Sequence, residues 1–401
     1  MPISKSDSVI EPGGQQTGPK PGFAIYVHWP FCMAKCPYCD FNSHVREAVD
    51  QKRWAKALVL ELEYFAGLTG PKVVTSIFFG GGTPSLMKPE TVSLVLSAIA
   101  RCWTLAGDAE ITLEANPTSV DTAGFAAVRS AGVNRLSLGV QALNDADLAA
   151  LGRWHSVSEA LSALEVARTH FPRTSFDLIY GRAGQTPAAW REELGRALDL
   201  ARGHLSLYQL TVEPGTAFHR EQREGRLVLP AQDDGARMLE DTWAMCARHG
   251  YQAYEVSNFA VPGEECRHNM TYWRYGEYVG AGPGAHGRIR IDGVPHSTAQ
   301  RRSPDGWLSG VERYGHGTET SDLLFPGERA AECLIMGLRT REGVSSARFE
   351  EIVGLPLEEY LPSDVVAEFI REGLVDLSKD YLCATERGLT LLDSLLTELV
   401  T

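Results

Sequence analysis

Short apolar runs alternate with longer stretches of helical period along most of the chain. The runs are FAIYV at 23–27, VVTSIFFGG at 73–81, AEITLEANP at 109–117, VNRLSLGVQ at 133–141, TSFDLIYG at 174–181 and HLSLYQLTVEPG at 204–215. They are rich in β-branched and aromatic residues, as strands are, and four of the six end in Gly or Pro. Between and after them, helical periodicity covers about Asp50 to Leu68, Pro89 to Trp103, Val120 to Ala131, Ser156 to His170, Ala188 to Ala201 and Asp233 to His249. Six β/α units in series imply a parallel sheet covered by helices, because parallel neighbours need a crossover connection. Six units suit a partial (β/α)6 barrel, and a flat doubly wound sheet has the same strand count. In a barrel, chemistry collects at the carboxyl ends of the strands.

Beyond the sixth unit the pattern changes. YQAYEVSNFA at 251–260 is strand-like, and a stretch dense in aromatics and glycine follows, CRHNMTYWRYGEYVGAGPGAHG at 266–287. Residues 288–325, with RRSPDG and HGTETSD, are polar and read as a connecting region. The last part, 326–401, has helical patterns around a short strand-like DYLCAT, and a winged-helix-like α+β unit is expected there, as a lid or docking element over the barrel mouth. The division expected is therefore a flexible tail at 1–21, a barrel at 22–287, a connection at 288–325 and a C-terminal unit at 326–401.

The chain has 401 residues, more than one core usually supports. Its 44% apolar and 22% charged content is that of an ordinary globular protein. No run approaches the roughly 18 apolar residues that span a bilayer, and the amino terminus has no apolar signal core. A cytoplasmic location with reduced thiols is expected. The net charge of −13 and an acid-rich C-terminal region without a basic face argue against nucleic acid as a partner.

The chemistry concentrates at Cys32, Cys36 and Cys39, a C-x3-C-x2-C array just after the first strand. Three thiolates at one point select a soft metal centre. A structural zinc site would need a fourth ligand, for which His28, His44 or Asp40 is available. Three cysteines suit a 4Fe-4S cluster with one open iron. The remaining five cysteines are scattered and read as small core hydrophobes, with Cys266 close to His268.

The array and its YVHWPFC lead-in resemble the signature of the radical S-adenosylmethionine (SAM) superfamily, in the branch of oxygen-independent coproporphyrinogen III oxidases and HemW-type heme chaperones. The resemblance implies a partial barrel, a 4Fe-4S cluster on Cys32, Cys36 and Cys39, and SAM bound at the open iron. It assigns SAM contacts to Tyr26, Tyr38, Gly81, Gly82, Thr83, Glu114, Gln141, Arg153 and Asp177. Read alone, the GGGTPS run at 80–85 is either a tight turn or a backbone that a ligand can approach closely. A single polar strand-end residue is as readily a solvated rim residue, and their recurrence favours a shared site.

His268, Asn269, Tyr272 and Trp273 form HN-x2-YW, which resembles a segment associated with the chaperones. A histidine beside aromatics can ligate heme iron or be a hydrogen-bonded core residue. The oxidases normally carry a further cysteine two places after the array, where this chain has Phe41. The resemblance thus implies a heme chaperone without coproporphyrinogen oxidase activity. Its expected partners are heme, apo-hemoprotein acceptors and an electron donor to the cluster, with peripheral membrane association. The alternatives are the oxidase itself, decarboxylating coproporphyrinogen III, and a zinc-binding scaffold.

Overall fold

The computed structural model describes residues 20–118, 122–378 and 380–400. The tail expected at 1–21 and the helix start expected at Val120 lie largely or wholly outside them. Six parallel strands follow the predicted runs: β1 Phe23–Trp29, β2 Val73–Gly81, β3 Thr104–Ala115, β4 Arg135–Gln141, β5 Arg173–Tyr180 and β6 His204–Gln209. Helices Gln51–Thr69, Pro89–Cys102, Thr122–Ser130, Val157–His170, Pro187–Leu200 and Gln232–Arg248 cover them. Their starts are written locally: Ser156 and Glu159 form a capping box, Asp50 caps by its side chain, and Thr186 caps a helix with Pro at its first turn.

Each barrel strand sorts its residues by period two. Ile25, Val27, Ile77, Phe79, Leu113, Leu136, Leu138, Phe176, Leu178, Leu205 and Leu207 pack beneath the helices in one apolar core. The opposite register is polar. Across the sheet Phe78 pairs with Thr112 and Thr112 with Arg135, Glu114 pairs with Ser137 and Ser137 with Ser175, and Asp177 pairs with Ser206. The usual barrel bore is filled by branched aliphatic layers. Here it is lined with hydroxyls, carboxylates, Arg135 and His204, several hydrogen-bonded in pairs, such as Ser175 Oγ to His204 Nδ1 at 2.7 Å.

Among the described residues the sheet has 12 strands and is open and mixed. Beyond β6 it continues through an antiparallel pair, Asn258–Ala260 and Gln252–Ala253, into which the strand-like 251–260 run divides. Beyond β1 it continues through parallel Glu277–Ala281 and then antiparallel His286–Ile291, Val294–Gln300 and Thr318–Leu323. Residues 288–325 are therefore not a mere connection, as their polarity suggested. They complete the sheet's far edge and carry helix Pro304–Tyr314, whose Trp307 stacks on Trp54 at 5.1 Å. The signal was present: Asp292 and Gly293 both have positive φ, the backbone of a two-residue hairpin turn.

The C-terminal unit has its own core around Ala330, Leu334, Phe349, Val375 and Leu395. Its order of helix, strand, two or more helices and a hairpin is that of a winged helix. It attaches through Arg288 to Glu332 at 2.7 Å, Tyr275 Oη to Glu332 at 2.7 Å and Arg274 to Glu342 at 2.5 Å. Those partners lie near the chain's entry into β1, at the amino ends of the strands. The unit thus sits at the barrel floor and not as a lid over the mouth.

Candidate functional site

One cavity opens at the carboxyl ends of β1 to β5. Its lining includes Cys32, Cys36, Tyr38, Cys39, Gly81, Gly82, Thr83, Glu114, Gln141, Arg153 and Asp177. The array loop, the carboxyl-terminal parts of β2 to β5 and the segment after β4 therefore bring together every expected cluster and SAM residue except Tyr26. That residue lies deeper in the bore, packs on Phe78 and bonds His28 Nδ1 at 3.0 Å. It sits three positions before the end of β1, close enough to the cavity-lining Glu114 to feel its charge.

Each thiol has a polar neighbour. Thr83 Oγ1 donates to Cys32 at 3.3 Å, Arg153 Nη1 to Cys36 at 3.5 Å, and Ser43 Oγ lies 3.7 Å from Cys39. Such donors stabilise thiolate. Of the candidate zinc ligands, His28 has both ring nitrogens engaged, by Tyr26 and by the Asn42 carbonyl at 3.0 Å. Among the described residues no three His, Cys, Asp or Glu side chains converge closely enough to hold a single metal ion. A cluster spreads its ligands over several irons, so half-buried thiols around one cavity fit it better.

The glycine turn works differently from a simple cradle. The Gly82 amide donates to Trp29 O at 2.7 Å, the Thr83 amide to Phe31 O at 2.9 Å, and the Gly81 amide to the Glu114 carboxylate. With the three amides engaged, what this turn can offer a ligand is carbonyl oxygen, which suits an amino group. Gly81 has φ of 110°, and a Cβ there would meet the His28 ring at 2.5 Å.

Arg153 bridges the site. Its Nη2 donates to Gly139 O at 3.0 Å, while its buried Nε has no partner among the described residues. A carboxylate in the cavity would satisfy it. Gln141 is one of few non-glycine residues at positive φ, 72°, at a register shift in β4. Such a backbone at a cavity marks a position held for function. Burial pushes the Glu114 carboxyl up to about 8, aided by the charge of Asp177, and burial lifts Asp177 to about 6.

The polar register supplies residues that strand ends alone did not reveal. Ser137 donates to Asp177 at 3.3 Å and lines the cavity with Gly139 and Asn116. In RLSLGVQ the polar and small residues at 135, 137, 139 and 141 already alternate with leucine and valine.

The HN-x2-YW residues form helix Arg267–Trp273, which plugs the floor. Glu110 accepts from the Arg267 amide at 3.0 Å, placing a carboxylate at the helix amino end. His268 is 1% exposed, with Ser76 Oγ 3.1 Å from Nδ1 and Tyr272 Oη 2.6 Å from Nε2. Burial pushes its pKa down to about 3. Contrary to the expectation of an iron ligand, it is a neutral core histidine with no nitrogen to spare. Asn269 bonds the Tyr254 hydroxyl at 3.3 Å, and Trp273 lies under Arg339. None of the four lines the cluster cavity.

Residues 26–197 match the family described as Radical SAM superfamily, and 325–391 match the HemN C-terminal domain. The chain is 42% identical over 398 residues to the bovine "Radical S-adenosyl methionine domain-containing protein 1, mitochondrial", covering 97% of this chain and 90% of that protein. It is 36% identical to "Heme chaperone HemW" of Escherichia coli (strain K12), covering 94% and 97%. The chain belongs to the HemW-type branch of the radical SAM superfamily. Membership implies SAM and a 4Fe-4S cluster. The fold is also that of the E. coli coproporphyrinogen III oxidase HemN, at a TM-score of 0.79 and 23% identity over 96% of this chain and 92% of that one. Among the described residues no helix of this HemW-type chain is long and apolar enough to cross a membrane.

Proposed function

We propose that the protein is a heme chaperone that holds a 4Fe-4S cluster on Cys32, Cys36 and Cys39, binds SAM beside it, and passes heme to apo-hemoproteins. The observation that carries this reading is near full-length similarity to proteins named heme chaperone, coupled with Phe41 at the position of the oxidases' further cysteine. Likeness to the oxidase structure supports the fold alone.

When bound, the cluster supplies an open iron for the amino-acid end of SAM and a redox centre. The chain's part is to hold both. Thr83, Ser43 and Arg153 would stabilise the thiolates, and the Arg153 Nε, without a partner among the described residues, would take the SAM carboxylate. Carbonyls of the Gly81–Gly82 turn would accept from its amino group, and Glu114, Gln141 and Asp177 line the same cavity. Tyr38, packed on Phe218, closes one side. The partners are an electron donor to the cluster and apo-hemoproteins, some reached at a membrane face, with no nucleic acid. All eight cysteines are unpaired, in keeping with a reducing compartment such as the cytoplasm.

Anaerobic reconstitution followed by parallel assays tests the reading. Stoichiometric heme binding without conversion of coproporphyrinogen III, and without substrate-dependent 5'-deoxyadenosine, is expected. Conversion would establish the oxidase instead, and reconstitution with zinc but no iron or sulfide would sink both.

A further inference from the structure

Three large apolar side chains stand in solvent around the mouth of the cluster cavity. Trp154 is 68% exposed, Phe41 60% and Met33 52%, and all three line the cavity. None belongs to an apolar core of the described residues. Single exposed hydrophobes are ordinary, whereas several gathered on one concave rim mark a binding surface. They come from two separate stretches, the array loop and the residue after Arg153, so local sequence does not explain their meeting.

Cations also lie beside the array loop that carries Met33 and Phe41, in a chain of net charge −13. Lys35, Arg46 and Arg302 all lie close enough to His44 to depress its protonation. Arg46 is taken up by Asp305 at 2.5 Å. Lys35 and Arg302 are exposed and have no ion pair among the described residues. Asn42 fixes the Arg302 backbone to the loop, its Nδ2 donating to Arg302 O at 2.9 Å.

An apolar platform bordered by two uncommitted cations complements a flat macrocycle with carboxylate arms. We propose that heme docks at this mouth, its ring against Trp154 and Phe41 with Met33 at the edge, and its propionates toward Lys35 and Arg302. The proposal rests on the heme-carrying reading and places the cargo at the opposite end of the barrel from His268. Because the apolar side chains line a cavity and not a flat face, a small planar ligand fits them better than a protein surface does.

The test uses the full chain, anaerobically reconstituted, titrated with hemin and followed by absorbance. The double variant Trp154→Ser with Phe41→Ser is expected to bind at least roughly ten-fold more weakly. Lys35→Glu with Arg302→Glu is expected to weaken binding several-fold and to reduce its salt dependence. Thermal melts matched to wild type confirm that these surface variants fold. Unchanged hemin affinity in the first double variant overturns the proposal while leaving the chaperone reading intact. Unchanged affinity combined with slower cluster reduction by an acidic flavodoxin-type donor also overturns it and makes the rim a redox-partner site. If the wild-type chain binds no hemin, the chaperone reading itself falls, and this proposal with it.

Discussion

Gly82→Ala asks whether the array loop is held in place by its close approach to the strand-end turn. Gly82 has no positive φ, so alanine suits its backbone and only space is at issue. A Cβ there would lie 2.8 Å from Phe31 O, 2.9 Å from Pro30 C and 3.0 Å from Phe31 N, all backbone atoms that cannot swing away. To relieve the overlap the loop must move out, loosening the amide bonds from Gly82 to Trp29 O and from Thr83 to Phe31 O, at 2.7 and 2.9 Å. Overpacking of this kind costs about 1–3 kcal/mol. Gly67, an exposed helix glycine with nothing within 4 Å of its would-be Cβ, is the control, and Gly67→Ala should gain up to about 1 kcal/mol. Urea unfolding read by circular dichroism, together with iron and sulfide per chain after anaerobic reconstitution, measures both effects. The expected result is a lower midpoint and lower cluster content for Gly82→Ala, and the reverse or no change for Gly67→Ala. Wild-type midpoint and iron content in Gly82→Ala would refute the close-approach argument.

Arg153→Gln should weaken SAM binding by roughly ten- to a hundred-fold, the worth of about 1.5–3 kcal/mol for bonds to a charged group, by calorimetry on protein with its cluster intact. Glu114 titrates near 8 in the folded chain against an ordinary 4.5, so the folded state holds an extra proton between those values. Its stabilisation is full below about 4.5 and is lost as pH rises through 8. Urea midpoints of the cluster-free chain, relative to Glu114→Gln, should therefore fall with rising pH across that window, and a flat difference would contradict the assignment. His268→Ala strands Ser76 and Tyr272 in the floor and should cost about 2–4 kcal/mol while leaving the hemin spectrum unchanged; a lost or shifted Soret band would return His268 to the role of ligand.

The six strands were readable because their apolar register is nearly unbroken, and the thiol array because three ligands fall within eight residues of sequence. What escaped reading depends on distant neighbours. The inner register of RLSLGVQ looks like ordinary alternation until Ser137 is seen beside Asp177 from the next strand. The amides of the glycine turn read as available to a ligand, but the carbonyls of Trp29 and Phe31 and the Glu114 carboxylate already take them. His268 resembled an iron ligand because sequence cannot show that Ser76, 192 positions earlier, already holds one ring nitrogen. Polar 288–325 concealed edge strands, since an outer strand such as Thr318–Leu323 faces water for most of its length.

Asn42 binds the array loop to carbonyls of Pro283 and Arg302, which lie 241 and 260 positions further along the chain. A ribosome adding about 5–20 residues per second needs on the order of 10–50 s to make that stretch. For that interval the three thiols have been synthesised but their loop is not yet fastened. The loop that carries them takes its final place only once the far edge of the sheet has been made and has closed behind it.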